Sequence, residues 1–451
     1  MMSAHWIAEL LESFRNAPLL RVLLVGFLVL ILLIPVGIIH EGIYERQETR
    51  AEAVGEVTGK WGATQSLTGL SLVVPYTKRW TETLENGEVR ARSEVQYATF
   101  LPDLLEVTGN IASDVRYRGI FKVPVYSASL ILSGNFVMPN FAEWGIANED
   151  ILWDRAYVAM GISDARGITK EVALTWNGTP QDFLPGMGKW AQGASGIHSP
   201  IAGNLNGDRF DFSFPLELNG SEGLYFAPFG KKTVVSLKSD WPDPSFQGNW
   251  LPGERSVTEN GFDAKWDIPF LGRNYPQAWL SESAMNDQIA ASTFGVNLIT
   301  PIDHYRMAQR SVKYAALFIA LTFGALWLFE ILGRLRIHPL QYLLVGAAMC
   351  VFYLLELSLA EHIGFVAAYV LASLAVLLLV SAYCVAVLKS LQRATVVGSA
   401  LAVLYGYLYV LLNNQDYALL IGSVGLFLVI AGTMYLTRKL DWYSLGANDK
   451  Q

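Results

Sequence analysis

Charged residues are scarce in this 451-residue sequence, where Asp, Glu, Lys and Arg together make up 16% and hydrophobic residues 52%. Soluble globular chains carry about 25% charged residues. The apolar excess is concentrated in runs of roughly twenty residues, which is the length that crosses a bilayer. The composition therefore indicates membrane-spanning helices rather than one oversized soluble core.

Basic clusters and extramembrane cysteines are missing as well. The formal net charge is -7, and no group of Lys and Arg is present to neutralise a phosphate backbone, so we expect no nucleic-acid binding. The two cysteines, Cys350 and Cys384, both fall in predicted spans. The polar stretch between the first two spans therefore has no disulfide and no thiolate metal site. At about 270 residues it is large enough to fold on its hydrophobic core alone.

Catalytic signatures are absent too. The sequence has no G-x-S-x-G, no H-E-x-x-H and no phosphate-binding Gly loop. His198 stands alone in the body of the extramembrane stretch, while His40 and His304 lie beside predicted spans, so we expect no zinc site. We predict no cofactor, no metal and no catalytic residue. Folding can still bring carboxylates together in pairs, which leaves a carboxylate-based periplasmic enzyme open as the weakest alternative.

Six apolar runs define the membrane part. Each is long enough to cross about 30 Å of hydrocarbon at about 1.5 Å per helical residue. The first is longer than the core of a signal peptide and ends without a small-residue cleavage site, which indicates an uncleaved anchor. The predicted spans are 19–39, 312–332, 340–360, 365–388, 394–412 and 417–436.

Lys and Arg in the short connections set the predicted orientation. The turns at 361–364 and 413–416 contain neither residue type. We therefore predict a multi-pass protein of a bacterial inner membrane, with both termini cytoplasmic and residues 40–311 outside. The basic residues within 306–313 follow a long translocated domain, where the rule is weak. The basic residues on the predicted cytoplasmic side are Arg15, Arg21, Arg334, Arg336, Lys389, Arg393, Arg438 and Lys439.

Helical periodicity continues on both sides of the first span. Residues 1–18 place Trp6 and Leu10 on one apolar face, which predicts a cytoplasmic amphipathic segment on the membrane surface; an ordered start of the span explains the pattern equally well. Beyond the span, apolar residues recur at near-helical spacing to about Gly59, which predicts a stalk helix. Residues 437–451 form the predicted cytoplasmic tail.

Between the stalk and the second span the pattern changes to period two. Residues 209–218 alternate apolar and polar, which predicts a strand with one wet face, and Pro215 within it favours an edge position. We predict a mainly antiparallel β domain, a sandwich or two stacked sheets, inserted between spans 1 and 2. Five Asn-Gly pairs suit two-residue hairpin turns, and they begin at Asn86, Asn177, Asn206, Asn219 and Asn260. Other predicted strands are 70–74, 120–132, 156–162, 172–176 and 233–238, with a hairpin over 80–100.

Several strings then point to a family. They are DARGI at 164–168, SDWPDPSF at 239–246, HPLQYLLVG at 338–346, FYLL at 352–355, EHIGF at 361–365 and DWYSL at 441–445. In these strings the sequence closely resembles the CreD family of bacterial inner-membrane proteins, over nearly its full length. The resemblance implies a role in cell-envelope integrity and in a two-component response to envelope and carbon-source stress. It carries no enzymatic activity, cofactor or catalytic residue, and Glu356 departs from the family pattern.

Polar residues at two predicted outer turns form the first candidate site. Glu361 and His362 lie in one turn, and Asp416 lies beside Asn413 and Asn414 in the other. If neighbouring spans bring them together, they could bind an ion or a proton, because His titrates near neutrality. Ordinary polar capping of tight turns is the alternative.

Two acids lie inside predicted spans, where charge is costly. Glu330 has Arg334 four residues on, which is a favourable helical pair. Glu356 could meet Lys313 if the second and third spans are antiparallel neighbours. Both acids lie about one helical turn from a span end, so we expect both to reach the interface.

Three further candidates belong to the strings named above. His338 precedes Pro339, which can start the third span without losing a hydrogen bond; contact with lipid headgroups or a cytoplasmic partner is the functional alternative. Asp164 and Arg166 predict either a binding-site turn or a turn held by its own side-chain hydrogen bonds. Trp241 among prolines predicts an exposed partner surface or a plug at one end of the sandwich.

The leading functional prediction is a non-enzymatic envelope protein, because a large disulfide-free β domain on a stalk shows no reaction centre. The β domain recognises a periplasmic, lipid or cell-wall-linked partner, while the helices lie in the lipid bilayer and anchor or transmit. The alternative is a carrier or flippase-like component with a polar path through the five-helix bundle. The sequence leaves the ligand and the oligomeric state open.

Overall fold

The computed structural model describes residues 18–85, 88–191, 193–201, 205, 207–281, 285–298, 304–333, 335 and 337–438. The chain forms two compact units. One is helical and combines the stretch up to Arg50 with the stretch from Ile302; the other, Ala51–Pro301, is built on β-strands. The predicted surface segment up to residue 17 and the tail from residue 439 lie outside the described residues, as do Asn86, Asn206 and the string at 441–445.

Long apolar helices make up the helical unit. In the described residues the α-helices are α1 (Pro18–Trp61), α2 (Asn286–Ala291), α3 (His304–Lys313), α4 (Ala315–Leu332), α5 (Pro339–Ile363), α6 (Phe365–Leu388), α7 (Leu391–Asn413) and α8 (Ala418–Thr437). Six of them, α1 and α4 to α8, are long and apolar enough to span a membrane. The predicted arrangement of one span followed by five is confirmed.

The second span begins three residues later than predicted. Residues up to Lys313 belong to α3, which buries Tyr305, Ala308 and Ser311 along one face and ends in Arg310 and Lys313. The chain turns at Tyr314, and the apolar span α4 follows from Ala315. Apolar content alone did not separate the short amphipathic helix from the span.

Helix α1 continues well beyond the length of a membrane crossing. Its 44 residues extend over about 66 Å at about 1.5 Å per residue. Pro35 lies inside it, as membrane helices tolerate. The helix ends at Trp61, two residues beyond the predicted stalk, because Gly62 adopts φ +142, a conformation that leaves the helix.

The β domain contains two sheets. Its strands are β1 (Gln65–Thr83), β2 (Val89–Phe100), β3 (Leu104–Arg118), β4 (Phe121–Val137), β5 (Tyr157–Ile162), β6 (Ala173–Trp176), β7 (Thr179–Asp182), β8 (Leu184–Pro185), β9 (Gly196–Pro200), β10 (Arg209–Ser221), β11 (Gly223–Phe226), β12 (Lys232–Ser239), β13 (Pro244–Gly248), β14 (Glu254–Thr258), β15 (Gly261–Pro269), β16 (Ala278–Leu280) and β17 (Phe294–Leu298). Sheet 1 has the order β13-β17-β11-β1-β5-β9-β8, with β2 beside β1 and β16 beside β2; sheet 2 has the order β14-β15-β12-β3-β4-β10-β6-β7.

Pairing in both sheets is mainly antiparallel, as predicted. The exceptions within the described strands are β1 with β11 and β3 with β12, which run parallel and were not anticipated. Both parallel pairs join strands far apart in sequence, so no turn signal marks them.

The hydrophobic core lies between the two sheets. Phe210, Phe212 and Phe214 point inward from β10 and are at most 3% exposed, which confirms the predicted alternation. Trp266 of sheet 2 packs against Phe294 of sheet 1, with ring centroids 5.7 Å apart. Burying a large apolar side chain contributes about 1.5–3 kcal/mol, so this shared core stabilises a domain without disulfides.

The Asn-Gly pairs have two different uses. Asn177 and Gly178 adopt positive φ and close the hairpin between β6 and β7, as predicted. The predicted turn at Asn219 is wrong, because this residue and Gly220 lie inside β10 and pair with β4. Gly220 is required for packing: a Cβ there would lie 2.3 Å from the Tyr126 hydroxyl.

Pro215 does not mark an edge strand. Strand β10 lies between β4 and β6, and Pro215 is paired with Ile131 of β4. On its other side β6 covers only Phe212 and Ser213. The predicted edge position is therefore wrong for the strand, although the short β6 leaves the proline without a ladder partner on that side.

Candidate functional site

Asp164 and Arg166 form a turn held by its own side chains. Asp164 precedes a single 3-10 turn, Ala165–Gly167, and its Oδ1 accepts the Arg166 backbone N–H at 3.3 Å. The Arg166 guanidinium donates two further hydrogen bonds to the carboxylate, at 2.8 and 2.9 Å. The hydrogen bonds from Arg166 hold the pKa of the Asp164 carboxyl below its ordinary value. The geometry favours the self-closed turn over a binding-site turn.

The same turn lies where helix α1 joins the β domain. Asp164 Oδ2 accepts the N–H of Ala63, two residues after the helix ends, at 3.2 Å. Gln65 opens β1 of sheet 1 and donates its side-chain amide to the Asp164 carbonyl at 3.0 Å. Ser221 of sheet 2 donates its hydroxyl to the Gly62 carbonyl at 2.9 Å. Polar contacts therefore fix the end of the helix to both sheets.

Trp241 lies in the connection from β12 of sheet 2 to β13 of sheet 1. Its side chain is partly buried and packs on the core. The backbone N–H of Trp241 donates to Ser239 Oγ at 3.2 Å. Asp240 Oδ1 accepts the Ser113 N–H at 2.9 Å, which ties the connection to β3. This placement favours a plug at one end of the sandwich over an exposed partner surface.

His338 caps the start of α5. Its Nδ1 accepts the Leu340 N–H at 3.2 Å, and Gln341 Oε1 accepts the His338 N–H at 2.9 Å. Pro339 occupies the first helical position. The side chains of His338 and Gln341 thus satisfy backbone N–H groups that a helix start leaves without a partner, and Pro339 has no N–H to satisfy. These contacts favour the structural role of His338.

Glu361, His362 and Asp416 make no hydrogen bond or ion pair with one another in the described residues. Glu361 Oε1 accepts the Tyr305 hydroxyl at 2.8 Å and lies 3.8 Å from Arg46 Nε. His362 and Asp416 are exposed, and the described residues show no hydrogen bond or ion pair between either of them and Glu361. Burial and the adjacent Glu361 carboxylate raise the pKa of the Tyr305 phenol. Glu361 therefore joins α5 to α3 and α1.

Glu330 is enclosed by protein and ion-paired. It is 6% exposed, and Arg21 Nη1 lies 2.5 Å from its Oε1. Tyr342 donates its hydroxyl to Oε2 at 3.0 Å. The expected partner Arg334 lies outside the described residues. Within the described residues the charge is compensated from α1, by Arg21, which precedes Glu330 by 309 positions in the chain.

Glu356 is the most deeply enclosed acid of the bundle. Glu356 is 0% exposed. It lies seven positions before the end of α5 at Ile363, which is about 10 Å along the helix axis. The Ser311 hydroxyl donates to Oε2 at 2.8 Å. Lys313 is exposed and makes no ion pair with it, so the expected pairing and the expected reach to the interface are both wrong.

An open trough with a volume of about 790 Å³ lies on the outer face of sheet 2. Two neighbouring rows of outward side chains line it, each crossing six paired strands from β14 to β10. One row is Glu254, Lys265, Ser236, Thr108, Ile131 and Pro215, and the other is Ser256, Asp263, Lys238, Asn110, Ser129 and Glu217.

Side-chain size creates the trough. The middle strands contribute Ser236, Thr108, Asn110 and Ser129, which are short. The longer ionisable side chains stand on β10, β14 and β15, apart from Lys238 on β12. The lining includes three acids and, with Arg255, three bases, so its charges balance. Most of the exposed lining surface is apolar, and Ile131, which is 56% exposed, lies at its centre. Such a floor suits a partner of mixed polarity without a large net charge.

The carboxylates around the trough are engaged with neighbouring side chains. Asp263 lies 3.1 Å from Lys238 Nζ, and Glu217 Oε2 accepts the Ser129 hydroxyl at 2.7 Å. Within the described ranges, no group of three or more His, Cys, Asp and Glu side chains is placed to hold a metal ion. The arrangement offers hydrogen bonds and local ion pairs to a bound partner rather than an acid/base pair.

Sequence reasoning missed both the trough and the Arg21–Glu330 pair. The outward short residues are visible as period-two alternation, but their meeting in two rows depends on the pairing of β3 with β12, which lie far apart in sequence. The ion pair likewise joins the first and second spans. Either needs the three-dimensional arrangement of distant segments.

The architecture defines a class: a polytopic membrane protein with a β-sandwich inserted between its first and second spans. The family model described as "Inner membrane protein CreD" matches residues 17–443. Inner membrane protein CreD of Escherichia coli (strain K12) is 36% identical over 418 residues, which cover 92% of this chain and 92% of that protein. The chain belongs to the CreD family of inner-membrane proteins.

Proposed function

We propose that this inner-membrane protein supports the integrity of the bacterial cell envelope by binding a partner through the trough of sheet 2. The single observation that carries the proposal is the trough itself, a preformed depression of about 790 Å³ lined from six adjacent strands. The role in envelope integrity, and in responses to envelope stress, follows from the family resemblance.

The chemistry of the trough selects among the classes of partner. An acyl chain needs an enclosed apolar tunnel, whereas this trough is open and Ser, Thr and Asn side chains interrupt its apolar lining. A strongly charged polymer needs a surface of one opposite sign, but three acids and three bases alternate here. A protein segment of mixed polarity matches the lining best, so we infer a protein partner on the envelope side.

The proposed orientation places the β domain in the periplasm and both termini in the cytoplasm. It rests on the distribution of Lys and Arg, which avoid the turns at 361–364 and 413–416. With this orientation the trough faces the compartment that contains envelope partners.

The test replaces the centre of the trough. Ile131→Arg places a long cation over the floor, and we expect the variant to fail to restore envelope integrity to cells that lack the protein. The readout is uptake of a membrane-impermeant dye. Val137→Arg is the matched control: Val137 is 55% exposed on the same strand, six residues or about 20 Å away, and does not line the trough.

Sidedness is checked in the same cells. The chain has two cysteines and both are buried, so Ser256→Cys introduces an accessible thiol into a low background. A membrane-impermeant maleimide should label it in intact cells. Full rescue by Ile131→Arg overturns the proposed partner site, whereas labelling only after the inner membrane is broken overturns the orientation.

The other functions considered receive less support. A carrier built on Glu361, His362 and Asp416 has no supporting contact among these residues in the described part of the chain, where Glu361 contacts Tyr305 and Arg46. A carboxylate-based enzyme requires two acids free to act on one substrate. The acids of the trough face Lys or Ser side chains, so we propose a non-enzymatic role.

A further inference from the structure

Glu356 is a buried acid with only half of its carboxylate satisfied. Oε2 accepts the Ser311 hydroxyl at 2.8 Å, while Oε1 is buried and has no hydrogen-bond partner in the described residues. An isolated ionised carboxylate in such surroundings costs several kcal/mol or more. The structure therefore calls for something that neutralises this group.

The side chains around Glu356 provide no positive charge. Its own helix contributes Cys350, Phe352 and Tyr353. Helices α6 and α7 contribute Tyr369 and Tyr405, whose rings pack against Phe352. The packed cluster is aromatic: the Phe352 ring lies 4.7 Å from that of Tyr405 and 5.5 Å from that of Tyr369.

The cations of neighbouring helices are directed elsewhere. On α3, Arg310 Nη2 donates to the Leu411 carbonyl at 3.3 Å, and Lys313 is exposed. On α1, Arg46 lies beside Glu361. The described residues include no Lys, Arg or His within 4.0 Å of the Glu356 carboxylate, since each ion pair of the bundle involves another acid.

We propose that Glu356 is a reversible proton-binding site of the helical bundle. A proton needs no coordination shell, whereas a metal cation such as Mg²⁺ or Ca²⁺ requires about six oxygen ligands. The ring-lined surroundings supply too few oxygens for such a shell but can enclose a neutral carboxylic acid. The proposal concerns a site in the membrane and is independent of the trough.

A second unsatisfied group is available to stabilise the ionised form. The Tyr405 hydroxyl is buried and also has no hydrogen-bond partner in the described residues. When the O–H bond of the Glu356 acid breaks, the proton leaves for water and Oε1 becomes a free acceptor. A side-chain rearrangement that brings the Tyr405 phenol to Oε1 would then give the carboxylate a second donor, while Ser311 continues to donate to Oε2.

A path for the proton lies along the interface of α3 and α5. The hydroxyl of Tyr305 contacts Glu361, and that of Ser311 contacts Glu356, so the two helices are joined twice by hydroxyl–carboxylate hydrogen bonds of 2.8 Å. Glu361 lies five residues nearer the end of α5. Opening of this interface at its Glu361 end would admit water toward Glu356.

The test is infrared difference spectroscopy of the full chain in lipid vesicles as the pH is varied. We expect a carboxylic-acid C=O band that persists above the pH range in which exposed Asp and Glu ionise, titrates at higher pH and disappears in Glu356→Gln. Glu330→Gln is the matched control, because that acid is ion-paired with Arg21, and it should keep the band. Tyr405→Phe removes the donor to the ionised form, so the band should persist to higher pH, with roughly tenfold tighter proton binding.

Two outcomes overturn the proposal. One is survival of that high-pH band in Glu356→Gln, or its absence from the unsubstituted chain. The other is loss of the band on adding Na⁺ at constant pH, which would assign the site to a metal cation. If Glu356→Gln fails to fold, Tyr405→Phe and selective ¹³C labelling of glutamate carboxyls decide in the otherwise native chain.

Discussion

The β domain and the helical bundle both bury carboxylates, but they compensate the charge differently. In the β domain Asp164 accepts hydrogen bonds from two backbone N–H groups and from Arg166. In the bundle Glu330 is paired with Arg21, whereas Glu356 has the Ser311 hydroxyl as its only donor among the described residues. These three are the most deeply buried acids in the described ranges.

The difference follows from where each acid lies in the secondary structure. A turn leaves backbone N–H groups free, so Asp164 finds donors within its own loop and at the end of α1. A helix uses its N–H groups internally, so an acid in a span depends on side chains from other helices. Glu330 meets such a cation and Glu356 meets aromatic rings. Whether a buried acid of the bundle has a compensating cation therefore depends on the side chains of the helices packed against it.

The largest expected effect is loss of the cation beside Glu330. Arg21→Met leaves that carboxylate buried and unpaired, so the free energy of unfolding should fall by about 3–5 kcal/mol. The measurement is SDS-induced unfolding of the full chain in mild detergent. Arg46→Met is the matched control and should cost much less, because Arg46 is 53% exposed and 3.8 Å from its acid. Equal losses of unfolding free energy in the two variants would show that the buried pair contributes no more than the exposed one.

An intermediate effect is expected at the joint of the β domain. Asp164→Asn removes the charge that Arg166 and the N–H of Ala63 stabilise, at a cost of about 1–3 kcal/mol. The readout is hydrogen exchange of the Ala63 and Arg166 amides in the full chain. Arg166→Gln, at a residue 74% exposed, should change exchange less. Faster exchange in Arg166→Gln than in Asp164→Asn would contradict the conclusion that the Asp164 carboxylate holds this joint together.

The same amides should report pH. The folded-state pKa of Asp164 is lowered from an ordinary 3.8, chiefly by hydrogen bonding to Arg166. A lowered acid pKa contributes stability above the ordinary value and loses it as the pH falls through the lowered value. Protection at Ala63 should therefore decline only below pH 3.8, and this decline should vanish in Asp164→Asn.

The sequence predicted the parts of this molecule that depend on local pattern. The spans follow from apolar runs, the inward face of β10 from alternation at Phe210 to Leu218, and the Asn177 turn from its dipeptide. Asn219 shows the limit: the same dipeptide lies inside a strand because Gly220 must clear the Tyr126 ring. Local patterns cannot encode a contact made by a segment ninety residues away.

The candidate sites were less predictable, for the same physical reason. The sequence indicated a helix start at His338 and a self-closed turn at Asp164 as one of two alternatives each, because caps and turns involve contacts within a few residues. The partners of Glu330 and Glu361 come from α1 and α3, and the trough comes from the register of strands paired across long loops. These contacts exist only after the spans and sheets have assembled.

The most direct test of the central claim, that Glu356 is uncompensated and Glu330 compensated, is the unfolding free energy of Glu356→Gln beside that of Glu330→Gln. Gln mimics a protonated acid, so we expect Glu356→Gln to change stability by less than about 1 kcal/mol at neutral pH. Glu330→Gln breaks a charged pair and should lower it by about 1.5–3 kcal/mol. Equal losses in the two variants, or a larger loss at Glu356, would contradict the account.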